Sequence, residues 1–140
     1  MFRRTILVGL LAVAALGATG APVAAKSGDV GATGALASKP GAVVARGHCS
    51  GASVWKLKLS PEDGRIEVEF QVDQNRNHRL WRVALTHNGP TVWRGSRFTL
   101  APSGSFTVRR FFANRAGVDR VVARATNVRT GEVCRGSATI

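Results

Sequence analysis

From Gly64 to Gly95 the chain alternates. Ile66, Val68, Phe70 and Val72 are separated by Glu67, Glu69 and Gln71, a polar run from Asp73 to His78 follows, and Trp81, Val83 and Leu85 then alternate with Arg82, Ala84 and Thr86. A period of two on both sides of a polar turn predicts two half-buried antiparallel strands. Asn88-Gly89 marks the next turn, and Thr91 to Arg94 a third strand of the same meander. Pro90 stands where a two-residue hairpin needs a donor N–H, so that connection is predicted to be longer or open.

The pattern extends in both directions. Trp55, Leu57 and Leu59 alternate with Lys56 and Lys58, and Pro61 to Gly64 turns the chain. Phe98 and Leu100 predict a short strand before Pro102-Ser103-Gly104. Phe106 and Val108 begin another, whose phase fails at Arg109-Arg110-Phe111-Phe112, where a bulge or a strand end is predicted. Val121, Ala123 and Ala125 alternate with Arg120, Val122 and Arg124; after Thr130-Gly131, Cys134, Ala138 and Ile140 share one parity. Seven or eight short strands at regular spacing predict an all-β antiparallel sandwich.

Three segments are expected. Residues 1–25 read as a secretory signal, with Arg3-Arg4, an apolar stretch from Ile6 to Leu16 too short to cross a bilayer, and small residues before a cut after Ala25. Arg3-Arg4-Thr5-Ile6-Leu7 also fits the opening of a twin-arginine signal. Residues 26–45 are mostly Gly, Ala, Ser and Val and predict a disordered tail. Residues 46–140 form the sandwich, with no later stretch able to span a membrane, so the expected location is outside the cell or at its wall.

Cys49, the run Val72-Asp73-Gln74-Asn75-Arg76-Asn77, Ser103-Gly104-Ser105-Phe106 and Thr130-Gly131-Glu132-Val133-Cys134 together resemble small secreted immunoglobulin-like proteins of high-GC Gram-positive bacteria. The resemblance covers about residues 46–140. It implies an immunoglobulin-like or fibronectin-III-like sandwich and an exported protein, but no activity. His78 stands where such a loop would carry glycine, and the antibody pattern of an inter-sheet disulfide packed on a tryptophan is not expected. Two cysteines behind a secretory signal nevertheless predict one disulfide, Cys49–Cys134. Parallel pairing of the first and last strands, as such sandwiches allow, would bring the two sulfurs to the same end.

Charge changes the picture more than any motif does. The formal net charge is +12, and arginine outnumbers lysine sixteen to four. Such a surface favours polyanions. Arg82, Arg120 and Arg124 have outward parity on strands expected to be neighbours, and guanidinium forks match phosphate and carboxylate oxygens. Arg94 or Arg109 would extend the patch.

Other chemistry is weakly represented. Asp73, Asn75 and Asn77 alternate like the start of a calcium loop, but His78 and Ala84 replace the required glycine and glutamate. The run reads instead as a loop capping its own backbone. His48, His78 and His87 lack zinc-site spacing. Neither a nucleophile elbow nor a phosphate loop occurs, and Glu67 and Glu69 share an outward strand face. No enzyme, metal or cofactor is expected. Trp55 and Trp81 share parity with core residues, whereas Trp93 competes with Val92 for the inward position. The expected function is a secreted, non-enzymatic binding or envelope-associated module contacting anionic cell-envelope polymers. The alternative is a small secreted protease inhibitor presenting Asn88 to Thr91 or Ala113 to Asp119.

Overall fold

A computed structural model of the protein describes residues 40–140. The expected signal segment and residues 26–39 of the expected tail lie outside them. Eight strands follow in order: β1 Val43–His48, β2 Val54–Glu62, β3 Arg65–Asp73, β4 Leu80–His87, β5 Thr91–Phe98, β6 Ser105–Ala113, β7 Arg120–Asn127 and β8 Val133–Thr139. They form two four-stranded antiparallel sheets, β1-β2-β3-β6 and β5-β4-β7-β8. The chain crosses between sheets at β3–β4, β5–β6 and β6–β7.

The alternating apolar residues make the core. Leu57, Leu59, Ile66, Val68, Phe70 and Val72 from the first sheet meet Trp81, Val83, Leu85, Val121, Ala123 and Ala125 from the second, all buried. Each large side chain so buried contributes about 1.5–3 kcal/mol. Alternation fixes the other faces as well, because shifting a strand by one residue would carry its apolar set into water.

The disulfide Cys49–Cys134 is present, with a Cα–Cα distance of 4.2 Å, but the strand pairing differs from expectation. Among the described residues β1 pairs only with β2, antiparallel, and β8 only with β7. The bond therefore links the β1–β2 connection of one sheet to β8 of the other. An inter-sheet bond does exist, at an edge of the sandwich. It is braced there by Ser50 N–H to Val133 C=O and Val133 N–H to Ser50 Oγ, both 2.8 Å. Trp55 fills the same edge, where its ring occupies the space a Cβ on Gly47 or Gly136 would need.

Three further expectations are corrected, and the open choice between Val92 and Trp93 is decided. β1 begins at Val43, inside the segment read as tail; its inward residues, Val43, Ala45 and Gly47, are too small to give a strong alternating signal. β5 runs unbroken to Phe98, so Phe98 and Leu100 do not form a separate strand, and Leu100 makes only an isolated bridge to Ser105. Trp93 takes the inward parity and its ring lies over Gly95, which hides the phase of β5 in the sequence. β6 has neither bulge nor break: Phe112 and Arg110 face inward, and the register with β3 is continuous. Arg110 is tolerated there because it sits at the open β5–β6 edge, its guanidinium carbon 4.4 Å from the Trp93 ring centroid.

Candidate anion-binding face

The outer face of the β5-β4-β7-β8 sheet gathers the predicted arginines. β4 and β7 are hydrogen-bonded neighbours, so Arg82, Arg120 and Arg124 share one surface. Register adds two more. Arg94, Ala84, Arg124 and Arg135 are successive partners in a row across all four strands. The next row is Ser96, Arg82 and Thr126. Arg82, Arg94, Arg120, Arg124 and Arg135 are all exposed.

Nothing on these strands neutralises them. β4, β5, β7 and β8 contain no Asp or Glu. Among the described residues none of the five guanidiniums lies in an ion pair. Arg124 and Arg135 stand directly opposite each other, an arrangement of like charges that destabilises a sheet. Small side chains floor the space between the arginines. Ala84, Thr86 and Val122 lie between Arg120, Arg124 and Arg135 in one shallow hollow of about 460 Å³. Ala84, Ser96 and Thr126 lie between Arg82, Arg94 and Arg124 in an adjoining one of about 460 Å³. Arg124 borders both.

Arg109 does not extend the patch. It lies on β6 in the other sheet, where Nε is 3.1 Å from Glu67 and an Nη is 3.2 Å from Glu69. That outer face also sets Arg46 opposite Lys56, but unlike the β5-β4-β7-β8 face it carries acids, Glu67 and Glu69, that pair with an arginine. Arg135 was missed by the sequence reading, although the inward parity of Cys134 places its neighbour outward.

The remaining candidates resolve into structural roles. Asp73 Oδ1 accepts from Asn75 N–H at 3.0 Å, the self-capping turn expected of that loop. His78 has φ +55°, the left-handed conformation that favours glycine. The loop closes on the β5–β6 turn: Gln74 N–H donates to Gly104 C=O at 3.1 Å and His78 N–H to Thr99 C=O at 2.8 Å. Trp81 is buried in the core, its Nε1–H donating to Gln74. Among the described residues, no three His, Cys, Asp or Glu side chains cluster to hold a metal.

His87 and Asp119 form a buried pair with Nε2···Oδ1 at 2.5 Å. Asn88 Nδ2 donates to the same Asp119 oxygen at 3.0 Å, and Arg115 N–H donates to the other at 3.0 Å. Burial alone would raise the Asp119 carboxyl. The hydrogen bonds from Arg115, His87 and Asn88, with the electrostatic influence of the His87 ring, outweigh it and hold the carboxyl below the usual carboxylate range. Asn88 Oδ1 in turn accepts from Arg120 N–H at 2.7 Å, so this node fixes the start of β7 and with it one arginine of the face. The two loops considered for protease inhibition are thus tied to each other through Asn88 and Asp119. No protein-family model matches the chain, and no curated protein is significantly similar to it.

Proposed function

We propose that the domain is a non-enzymatic binding module, working outside the cell or at its envelope, that holds anionic polymers on the outer face of the β5-β4-β7-β8 sheet. One observation carries this reading: five exposed arginines stand in register on strands that carry no acid. A folded surface gains nothing from placing Arg124 opposite Arg135, whereas a bound phosphate or carboxylate chain relieves that repulsion and matches the guanidinium forks. The two adjoining hollows are open and shallow, which suits an extended chain lying across the strands. The disulfide and the secretory reading of residues 1–25 support an oxidising compartment.

The test is binding of long-chain polyphosphate at low salt. Replacing Arg82, Arg120 and Arg124 together by glutamine leaves the core untouched and is expected to weaken binding by at least about tenfold. A triple variant that binds like the parent, or a parent that does not bind, contradicts the proposal.

A further inference from the structure

The basic face borders an apolar one. One step beyond the Ser96–Arg82–Thr126 row, the next outward positions are Phe98, Leu80 and Val128. Phe98 and Leu80 are direct partners across β5 and β4. Val128, just past β7, donates its N–H to Leu80 C=O at 2.9 Å. The three side chains therefore form a row about 7 Å from Arg82 along the strand. Phe98 is 53% exposed, Val128 47%, and Leu100 in the following turn 60%. Single exposed apolar residues are ordinary, but a contiguous row rimmed by one sign of charge is a mark of an interaction surface.

The same end of the sandwich is also basic. Arg76, Arg79 and Arg129 surround an open hollow of about 260 Å³ with Gln74 and Thr130. The nearby carboxylates are turned to other partners: Asp73 accepts from Asn75 N–H and Glu132 from Ser53 N–H.

A wholly polar polyanion offers no partner to Phe98, Leu100 and Val128. A bilayer of anionic phospholipid offers both kinds of partner at once, phosphates for the guanidiniums and the headgroup–acyl boundary for the apolar side chains. We infer that the anionic partner of this face is the surface of such a bilayer. Phe98, Leu100 and Val128 enter the headgroup layer, and the arginines on both sides of them contact lipid phosphates. The inference rests on the anion-binding reading above: it keeps the phosphate-binding arginines and takes the phosphates from lipid headgroups in place of a polymer chain.

The experiment compares the folded, disulfide-bonded protein on vesicles of phosphatidylglycerol with phosphatidylcholine, on phosphatidylcholine alone, and on soluble long-chain polyphosphate. Co-sedimentation is expected with the anionic vesicles only. The double variant Phe98→Ser, Leu100→Ser is expected to lose about tenfold in vesicle binding while its polyphosphate affinity stays unchanged. Val128→Ser, on its own, provides a second readout should the double variant fold poorly, and is expected to weaken vesicle binding in the same direction.

If vesicle binding survives both changes, or if the parent binds polyphosphate and ignores vesicles, the lipid assignment falls and the anion-binding reading stands. Retention of the parent by an immobilised acidic protein, with no vesicle binding, likewise overturns the lipid assignment. If neither vesicles nor polyphosphate are bound at low salt, both readings fall.

Discussion

Reducing the Cys49–Cys134 bond should remove a large share of the domain's stability. The bond joins residues 85 apart in sequence, and in the chain-entropy model a closed loop of that length restricts the unfolded chain by about 4.5 kcal/mol. Domains of this size have only about 5–15 kcal/mol in total. The folded contribution is small by comparison. No hydrogen-bond ladder joins β1 to β8, and Cys134 is already buried among apolar neighbours, so the reduced thiol remains well packed. The assay is urea unfolding at 25 °C, followed by tryptophan fluorescence, for the oxidised protein, the protein in excess reductant and the variant Cys49→Ser, Cys134→Ser. With a slope of about 1.5 kcal/mol per molar urea, the midpoint should fall by about 3 M on reduction. The slope itself should rise slightly, because the opened unfolded chain exposes more surface. A loss under about 1 kcal/mol would refute the reasoning, since the bond would then not be limiting the unfolded ensemble.

Other consequences follow from the loops. Asp119 titrates below its ordinary value in the folded state, so its contribution is complete above the unfolded carboxyl pKa and disappears as pH falls through the lowered folded value. The stability curve of the parent should therefore drop below about pH 4, and Asp119→Asn should flatten that drop while costing about 2 kcal/mol at pH 7. Equal acid slopes for the two proteins in urea titrations at pH 2–5 would contradict this. Gly104 has φ +66°, and a Cβ there would lie 2.2 Å from the backbone nitrogen of Arg76. Gly104→Ala should cost about 3 kcal/mol or more, and a melting temperature within a few degrees of the parent would show that the two loops separate freely.

Much of the fold follows from parity. Ile66 to Val72, Trp81 to Leu85 and Val121 to Ala125 alternate cleanly because each strand has one wet and one dry face, and the same parity places Arg82, Arg120 and Arg124 outward. The misses lie where that two-face logic weakens. At the edges of the sandwich the inward side is half wet, so Arg110 occupies it beside Trp93, and Gly95 and Gly136 leave room for tryptophan rings supplied by other positions. β1 was hidden by small inward residues. The full arginine row and the Phe98–Leu80–Val128 row depend on register between strands distant in sequence, which no single strand records. The disulfide was expected from two cysteines behind a secretory signal; the parallel strand pairing offered in its support does not occur, and the two residues meet because β1 and β8 close one edge of the two sheets.

The central claim is that the β5-β4-β7-β8 face holds phosphates with unpaired arginines, and salt tests it most directly. Affinity for long-chain polyphosphate should be measured from 20 to 300 mM salt for the parent and for a variant with Arg82, Arg94, Arg120, Arg124 and Arg135 replaced by glutamine. Five phosphate contacts on a flexible single-stranded polyanion predict that log affinity falls with log salt at a slope of about −3.5, and that the variant's slope approaches zero. A parent slope shallower than about −1, or one left unchanged in the variant, would contradict the account.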